Sequence, residues 1–232
     1  MSLRRLAAPA MILLLAATVA PAPPAAAGTV QLDGVTVTLA AGTTQVITVN
    51  RTRSWHARVT FWRKTSGGWQ SVRRATDGRI GYSGLVAGTK RKQGTGTTPV
   101  GSYRLLGSFG THARAASWDL GYRRIRAGDY WVQDNQSAFY NRYRNKSQGG
   151  FRWWLTSGEN ASERLTDYRK QYEYAVNTAF NRDQVRHRGS GIFVHVNGSG
   201  ATAGCVSVPR AFMRFAMARL DPARLPVIAI GR

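Results

Sequence analysis

A mostly β fold is predicted for this 232-residue chain from three features. Short runs of alternating apolar and polar residues recur, glycines and other turn residues separate them, and only one stretch has helical periodicity. The first alternating run is Val35–Leu39 and the second covers residues 45–49. Residues 57–62 continue the pattern, and Gly67-Gly68 turns the chain back into residues 69–72. Thr98-Pro99-Val100-Gly101 reads as a turn leading into residues 103–106. Later, Tyr172, Tyr174, Val176, Thr178 and Phe180 share one face of a strand, and residues 191–196 and 225–230 complete the set. The helix covers residues 209–220: Pro209 suits its first position and Ser207 or a neighbour its cap. Phe212, Phe215, Ala216 and Leu220 form its apolar stripe, and Asp221-Pro222 ends it. Between residues 129 and 167 the periodicity fades into a mixture of Tyr, Trp, Asn, Arg and Gln. That segment is expected to be a long loop with one short helix, forming a wall around a polar ligand.

The first 27 residues read as an export signal. Arg4 and Arg5 open it, an apolar run covers residues 11–19, prolines interrupt it, and Ala25-Ala26-Ala27 offers a cleavage site. The run is too short to span a membrane comfortably, and no later stretch approaches that length, so no stable membrane span is expected. One domain is expected over residues 28–232, exported and acting as a monomer. The formal net charge is +22, and losing Arg4 and Arg5 leaves +20. Such a balance fits either a polyanionic partner or a well-solvated arginine-rich surface. Zinc-finger spacing, an RNA-recognition aromatic run and a basic heptad helix are all missing, so nucleic acid is not the expected partner.

Cys205 is the only cysteine, so it cannot pair within the chain even in an oxidising compartment. Four β-prone residues run into His195, a Gly/Ser/Ala/Thr loop follows, and the thiol arrives just before a proline-started helix. His195 is the candidate base and Cys205 the candidate nucleophile. A helix start beside the thiol is expected to hold its pKa below the ordinary value of about 8.5. Gly204 lets backbone approach the reacting carbon, and the N–H groups of Gly204 and Cys205 are candidate oxyanion donors. His56, His112 and His187 form no zinc spacing with one another, so neither metal nor cofactor is expected. Penicillin-binding chemistry is excluded, since no serine has a lysine three residues on and Lys-Thr-Gly is missing. Papain-like peptidases place cysteine before histidine, the reverse of this order.

Gly191-Ile-Phe-Val-His195 followed by Thr202-Ala-Gly-Cys205-Val resembles the catalytic signature of the L,D-transpeptidases (the YkuD-type catalytic domain). Gly94-Thr-Gly-Thr-Thr-Pro99-Val-Gly101 is similar to that family's Thr-Pro-x-Gly turn, and Asp129-Tyr-Trp-Val, Tyr140-Asn141 and Tyr172-Glu-Tyr-Ala-Val resemble a secreted actinobacterial branch. The likeness covers about residues 42–232. It implies a β-sandwich with a short helix packed after the cysteine. It also implies an exported cysteine enzyme of the cell wall or extracellular space, cross-linking peptidoglycan stem peptides through a thioester. The anionic wall then accounts for the positive charge. The expected catalytic set is Cys205, His195 and Gly204, with Trp131, Tyr140, Asn197, Ser199 and Thr202 as substrate contacts. The chain departs from the pattern in three places: Ala203 where many members carry a second histidine, a ten-residue interval from His195 to Cys205, and Ser207 where Arg or Asn is common. Alternatives are an L,D-carboxypeptidase, a sortase-like transpeptidase, and a non-catalytic basic wall-binding protein on the same fold. A sortase expects a long His-to-Cys interval and an arginine on the strand after the cysteine, and this chain has neither.

Overall fold

The computed structural model describes residues 28–232; the export signal expected over residues 1–27 lies outside the described residues. In chain order the strands are β1 (Gly28–Leu32), β2 (Val35–Leu39), β3 (Gln45–Arg53), β4 (His56–Thr65), β5 (Gly68–Arg79), β6 (Leu85–Ala87), β7 (Thr98–Gly110) and β8 (Tyr122–Arg124). They continue as β9 (Asp129–Trp131), β10 (Tyr143–Asn145), β11 (Glu163–Arg164), β12 (Tyr174–Thr178), β13 (Phe193–Val196), β14 (Val206–Val208) and β15 (Val227–Gly231). The helix α1 (Arg210–Met217) lies between β14 and β15. The mostly β expectation holds.

The main sheet runs β12-β13-β14-β5-β4-β3-β15-β7, and β7 also pairs with β12, so hydrogen bonds join the two layers of a sandwich-like body into a circuit. Inside it, Ile47, Val49, Val59, Phe61, Val176, Val194, Val206 and Ile228 meet the buried face of α1. Phe212, Met213, Ala216 and Met217 supply that face, with Leu220 just past its end, so the short helix fills the interior against β5, β12 and β13. The strands β3 and β15 lie parallel to each other and are buried on both sides. Their outer side chains Val46, Val227 and Ala229 are covered by Leu32, Val35 and Val37 of the β1–β2 hairpin. Asp33 and Gly34 make its two-residue turn with φ of 54° and 78°, the primed geometry that an Asp-Gly pair favours. Arg58 then straps the turn to β4 through two 2.7 Å bonds to the Asp33 carboxylate.

Four expectations change. The strand expected over residues 172–180 spans only Tyr174–Thr178, and Tyr172 sits in a 3-10 turn at Gln171–Glu173 and packs in a different cluster from Tyr174 and Val176. Thr98-Pro99-Val100-Gly101 is the start of β7, where Pro99 costs little because its neighbour β6 is a short edge strand; within the strand Gly101 has φ of 140°. The helix begins only at Arg210, with Pro209 extended in the cap position, and Ser207 caps nothing because it lies buried in β14. The aromatic segment contains a separate sheet of order β10-β9-β11 with 3-10 turns at Lys146–Gln148 and Leu165–Tyr168. Strands of two or three residues show no alternation in the sequence; their pairing across Tyr130, Arg144 and Arg164 creates them.

Candidate active site

Two parallel strands set the site. Val194, His195 and Val196 of β13 lie opposite Val206, Ser207 and Val208 of β14. The four valines point into the core around α1. The two-residue period then sends Phe193, His195 and Cys205 to the other face. There Phe193 and Cys205 join Phe109, Trp131, Leu165, Tyr172 and Ala175 in a second apolar cluster. Extending the register places Cys205 opposite Phe193, which makes His195 its diagonal neighbour on the same face.

The loop into Cys205 is held by the other signature segment. Thr98 Oγ1 donates to the Gly204 carbonyl at 2.8 Å and accepts the Gly81 N–H at 2.8 Å. Thr202 Oγ1 donates to the Cys205 carbonyl at 2.6 Å and accepts the Gly204 N–H at 3.1 Å. Gly204 has φ of 136°, and a Cβ on it would lie 2.8 Å from Arg91 Nη2 and 2.9 Å from the Thr97 carbonyl oxygen. Gly204→Ala is therefore expected to cost about 1–3 kcal/mol in urea unfolding and to slow Cys205 labelling as the loop shifts.

The expected depressed thiol pKa is overturned. The three residues of β14 and Pro209 separate Cys205 from the helix, so the helix dipole does not act on it directly. The thiol instead donates to the Gly191 carbonyl at 3.1 Å and accepts the Phe193 N–H at 3.4 Å. Burial pushes it up to about 12, the charge of Glu163 adds to the rise, and the Phe193 N–H and Arg91 oppose it. His195 moves the other way, pushed down to about 4 by burial, with its bond to the Val196 carbonyl opposing. That bond, 2.8 Å from Nδ1, requires a donor and so assigns the proton to Nδ1, leaving Nε2 as the base nitrogen. The Tyr172 ring stands edge-on to the imidazole at 5.4 Å. The pair is neutral at rest, and among the described residues no hydrogen bond joins His195 to Cys205.

Both residues line a cavity of about 310 Å³. Ser199 and Thr202 also line it, whereas Trp131, Tyr140 and Asn197 stand outside the lining. Trp131 is buried, packs on Phe193 at 4.7 Å and donates to Asn141 Oδ1 at 2.9 Å. Tyr140 is fully buried and donates at 2.5 Å to Gln93, which does line the cavity. Asn197 turns away to donate to the Asp77 carbonyl at 2.8 Å. These three brace the walls.

Two lining residues were invisible in the sequence, Glu163 and Arg91. Glu163 enters from β11 of the small sheet, opposite Trp131. Arg91 is buried, donates from Nε to the Thr97 carbonyl at 2.8 Å and from Nη1 to the Arg188 carbonyl at 3.2 Å, and has no carboxylate within 4.0 Å among the described residues. Burial lowers its pKa, and the charges of Cys205, Tyr140 and Tyr103 oppose that. The only sequence signal for Arg91 was its place ahead of the Thr-Pro segment, in the run Lys90-Arg91-Lys92.

Residues 44–228 match the family model YkuD, L,D-transpeptidase catalytic domain. Among solved structures, L,D-transpeptidase 1 of Mycobacterium tuberculosis is similar, with 12% identity over 87% of this chain and 69% of that one and a TM-score of 0.35. An L,D-transpeptidase from Mycobacterium smegmatis is similar at 10% identity over 90% of this chain and 69% of that one, with a TM-score of 0.38. No curated protein matches the sequence.

Proposed function

The chain belongs to the YkuD family of L,D-transpeptidase catalytic domains, and on that premise we propose that it is an exported enzyme cross-linking peptidoglycan stem peptides through a Cys205 thioester. The observation that carries the site assignment is that Cys205 and His195, whose Nε2 is left as the base nitrogen, line one cavity from neighbouring strands.

The proposed reaction starts from the neutral pair. A donor stem fills the cavity and its scissile carbonyl meets the sulfur. As the sulfur attacks, His195 Nε2 takes the thiol proton, so no standing thiolate is required. Arg91 stabilises the negative charge that develops in the cavity, since its buried guanidinium lines it against the Gly204 backbone and has no carboxylate within 4.0 Å among the described residues. The terminal D-residue leaves with the proton from His195, and the donor acyl group stays on sulfur. An amine of a second stem then displaces the thiol and forms the cross-link. Gly204 sets the backbone approach; its N–H becomes an oxyanion donor only on leaving Thr202 Oγ1.

Export of residues 28–232 and residence at the wall are part of this proposal, supported by the signal-like first 27 residues and the net +20 of the remainder. Incubating stem tetrapeptide with the mature protein tests the reading. The expected product is a cross-linked dimer with loss of the terminal D-residue, alongside a covalent adduct on Cys205 with a carbapenem by intact mass. Release of the D-residue without dimer would demote the enzyme to an L,D-carboxypeptidase. Wall binding with neither adduct nor product would leave only a binding protein on this fold.

A further inference from the structure

We propose that Glu163 is the docking and proton-accepting group for the attacking amine of the acceptor stem. This rests on the transpeptidase reading above and deepens it: it separates a residue of the second half-reaction from the residues of the first.

The chain has 33 basic residues against 11 acidic ones, and most of the acids are held by a cation. Asp33, Asp77, Asp134, Asp167, Glu173 and Asp221 each pair with an arginine. Glu163 pairs with no cation among the described residues, although it is half-buried in the wall of the cavity. Its hydrogen bonds come from neutral donors, the Tyr172 hydroxyl and Gln133 Nε2 at 3.3 Å. A carboxylate has about four acceptor sites. The unused ones have the cavity as their remaining environment.

The placement works against the first half-reaction. The charge of Glu163 raises the Cys205 pKa, which opposes formation of the nucleophile. A cation-free carboxylate beside a thiol that must lose its proton therefore gains nothing for acylation. Once the thiol is an acyl thioester it has no charge to repel, and the next reactant is a cation. The acceptor amine arrives as an ammonium and cannot attack until it loses a proton.

Glu163 meets both needs. As a carboxylate it attracts the ammonium next to the thioester, and burial has already pushed its own pKa up to about 7, with Asp167 adding to the rise and the Tyr172 bond opposing it. Tyr172, Tyr168, Asp167 and Cys205 are the titratable groups around it, and His195 and Arg91 share its cavity. One proton passes from the ammonium to the Glu163 carboxylate, leaving a neutral amine. The nitrogen lone pair forms the C–N bond, the C–S bond breaks, and the sulfur keeps that electron pair. The second nitrogen proton returns to sulfur through His195, restoring the thiol, and Glu163 releases its proton to water. Tyr172 couples the two steps spatially, with its hydroxyl on Glu163 and its ring edge-on to His195 at 5.4 Å.

The test compares wild-type mature protein with Glu163→Gln at pH 8, with stem tetrapeptide as donor and acceptor. Glutamine keeps an acceptor for Tyr172 and removes the charge. Acylation of Cys205, followed by intact mass, is expected to quicken because the opposing charge is gone. The ratio of dimer to hydrolysed tripeptide should fall by about tenfold or more, as expected for loss of a charge-assisted contact. Glu163→Asp should recover part of the ratio. An unchanged ratio overturns the proposal, and so does an equal fall of acylation and transfer with a lowered melting temperature, which would make Glu163 a structural brace. Wild-type protein that never forms an acyl-enzyme overturns the transpeptidase reading itself.

Discussion

Cys205→Ala is expected to abolish both the covalent adduct and the cross-linked product while leaving the fold intact. Replacing a thiol that is buried and flanked by Gly204 and Val206 with a methyl group removes two weak bonds, the one donated to the Gly191 carbonyl and the one accepted from the Phe193 N–H, and little volume. No other cysteine exists to take over, and none of the serines shares its place between β13 and the Thr202 loop. Cys205→Ser is the sharper variant: an oxygen nucleophile with the same bonds but a far higher pKa should still lose essentially all acylation. The resting state of the thiol is open to measurement in the wild-type enzyme. A pKa pushed up to about 12 means that the thiolate fraction keeps growing with pH well beyond the ordinary thiol range. Iodoacetamide labelling of the free enzyme should therefore climb through pH 10 without levelling off. A plateau below pH 8.5 would show a preformed thiolate and would overturn the neutral-pair account.

The reactive strand was legible because its information is local. Residues 191–196 read as β-prone on their own, and the period of two already puts Phe193 and His195 on one face. The cysteine's immediate neighbours misled for a physical reason. Pro209 does mark a helix start, but Val206-Ser207-Val208 is captured first by parallel pairing with β13, a contact invisible from the residues between the two strands. The role of Thr98 was equally hidden. Its threonine-proline context suggested a turn, whereas its hydroxyl holds Gly81 and reaches Gly204, which lies 106 residues further along the chain. Glu163 was missed because a two-residue strand has no period to read, and its place in the cavity exists only through pairing with Trp131. Conversely Trp131 and Tyr140 were singled out as aromatic lining, yet large aromatics bury more readily than they line polar clefts, and both sit behind the wall. The hairpin Gly28–Leu39 was recoverable: Asp33-Gly34 between Val30/Leu32 and Val35/Val37 carries the two-residue turn signal.

His195→Ala is expected to lower the rate of Cys205 acylation by at least about 10²-fold, the lower end for loss of a general base. The variant leaves the thiol protonated and bonded to Gly191, with no neutral imidazole to receive the proton. Tyr172 cannot replace it, because burial and the charge of Glu163 push the phenol well above its ordinary value. His195→Gln should fail as severely although it fills more of the site, which separates loss of the base from loss of packing. The pH profile supplies an independent check of the same role. A base must be deprotonated to act, so activity falls as pH drops through its pKa. With His195 pushed down to about 4, the acid limb of wild-type acylation should lie near pH 4, and the rate should hold between pH 6.5 and 5, where an ordinary histidine would already be protonated. Glu163 titrates in the opposite sense over the range below about 7, since protonating it removes a charge that opposes the nucleophile. Its titration therefore cannot produce a fall in that window. An acid limb at pH 6.5 that disappears in His195→Ala would mean that the imidazole is solvated during turnover, and the buried neutral pair would no longer describe the working enzyme.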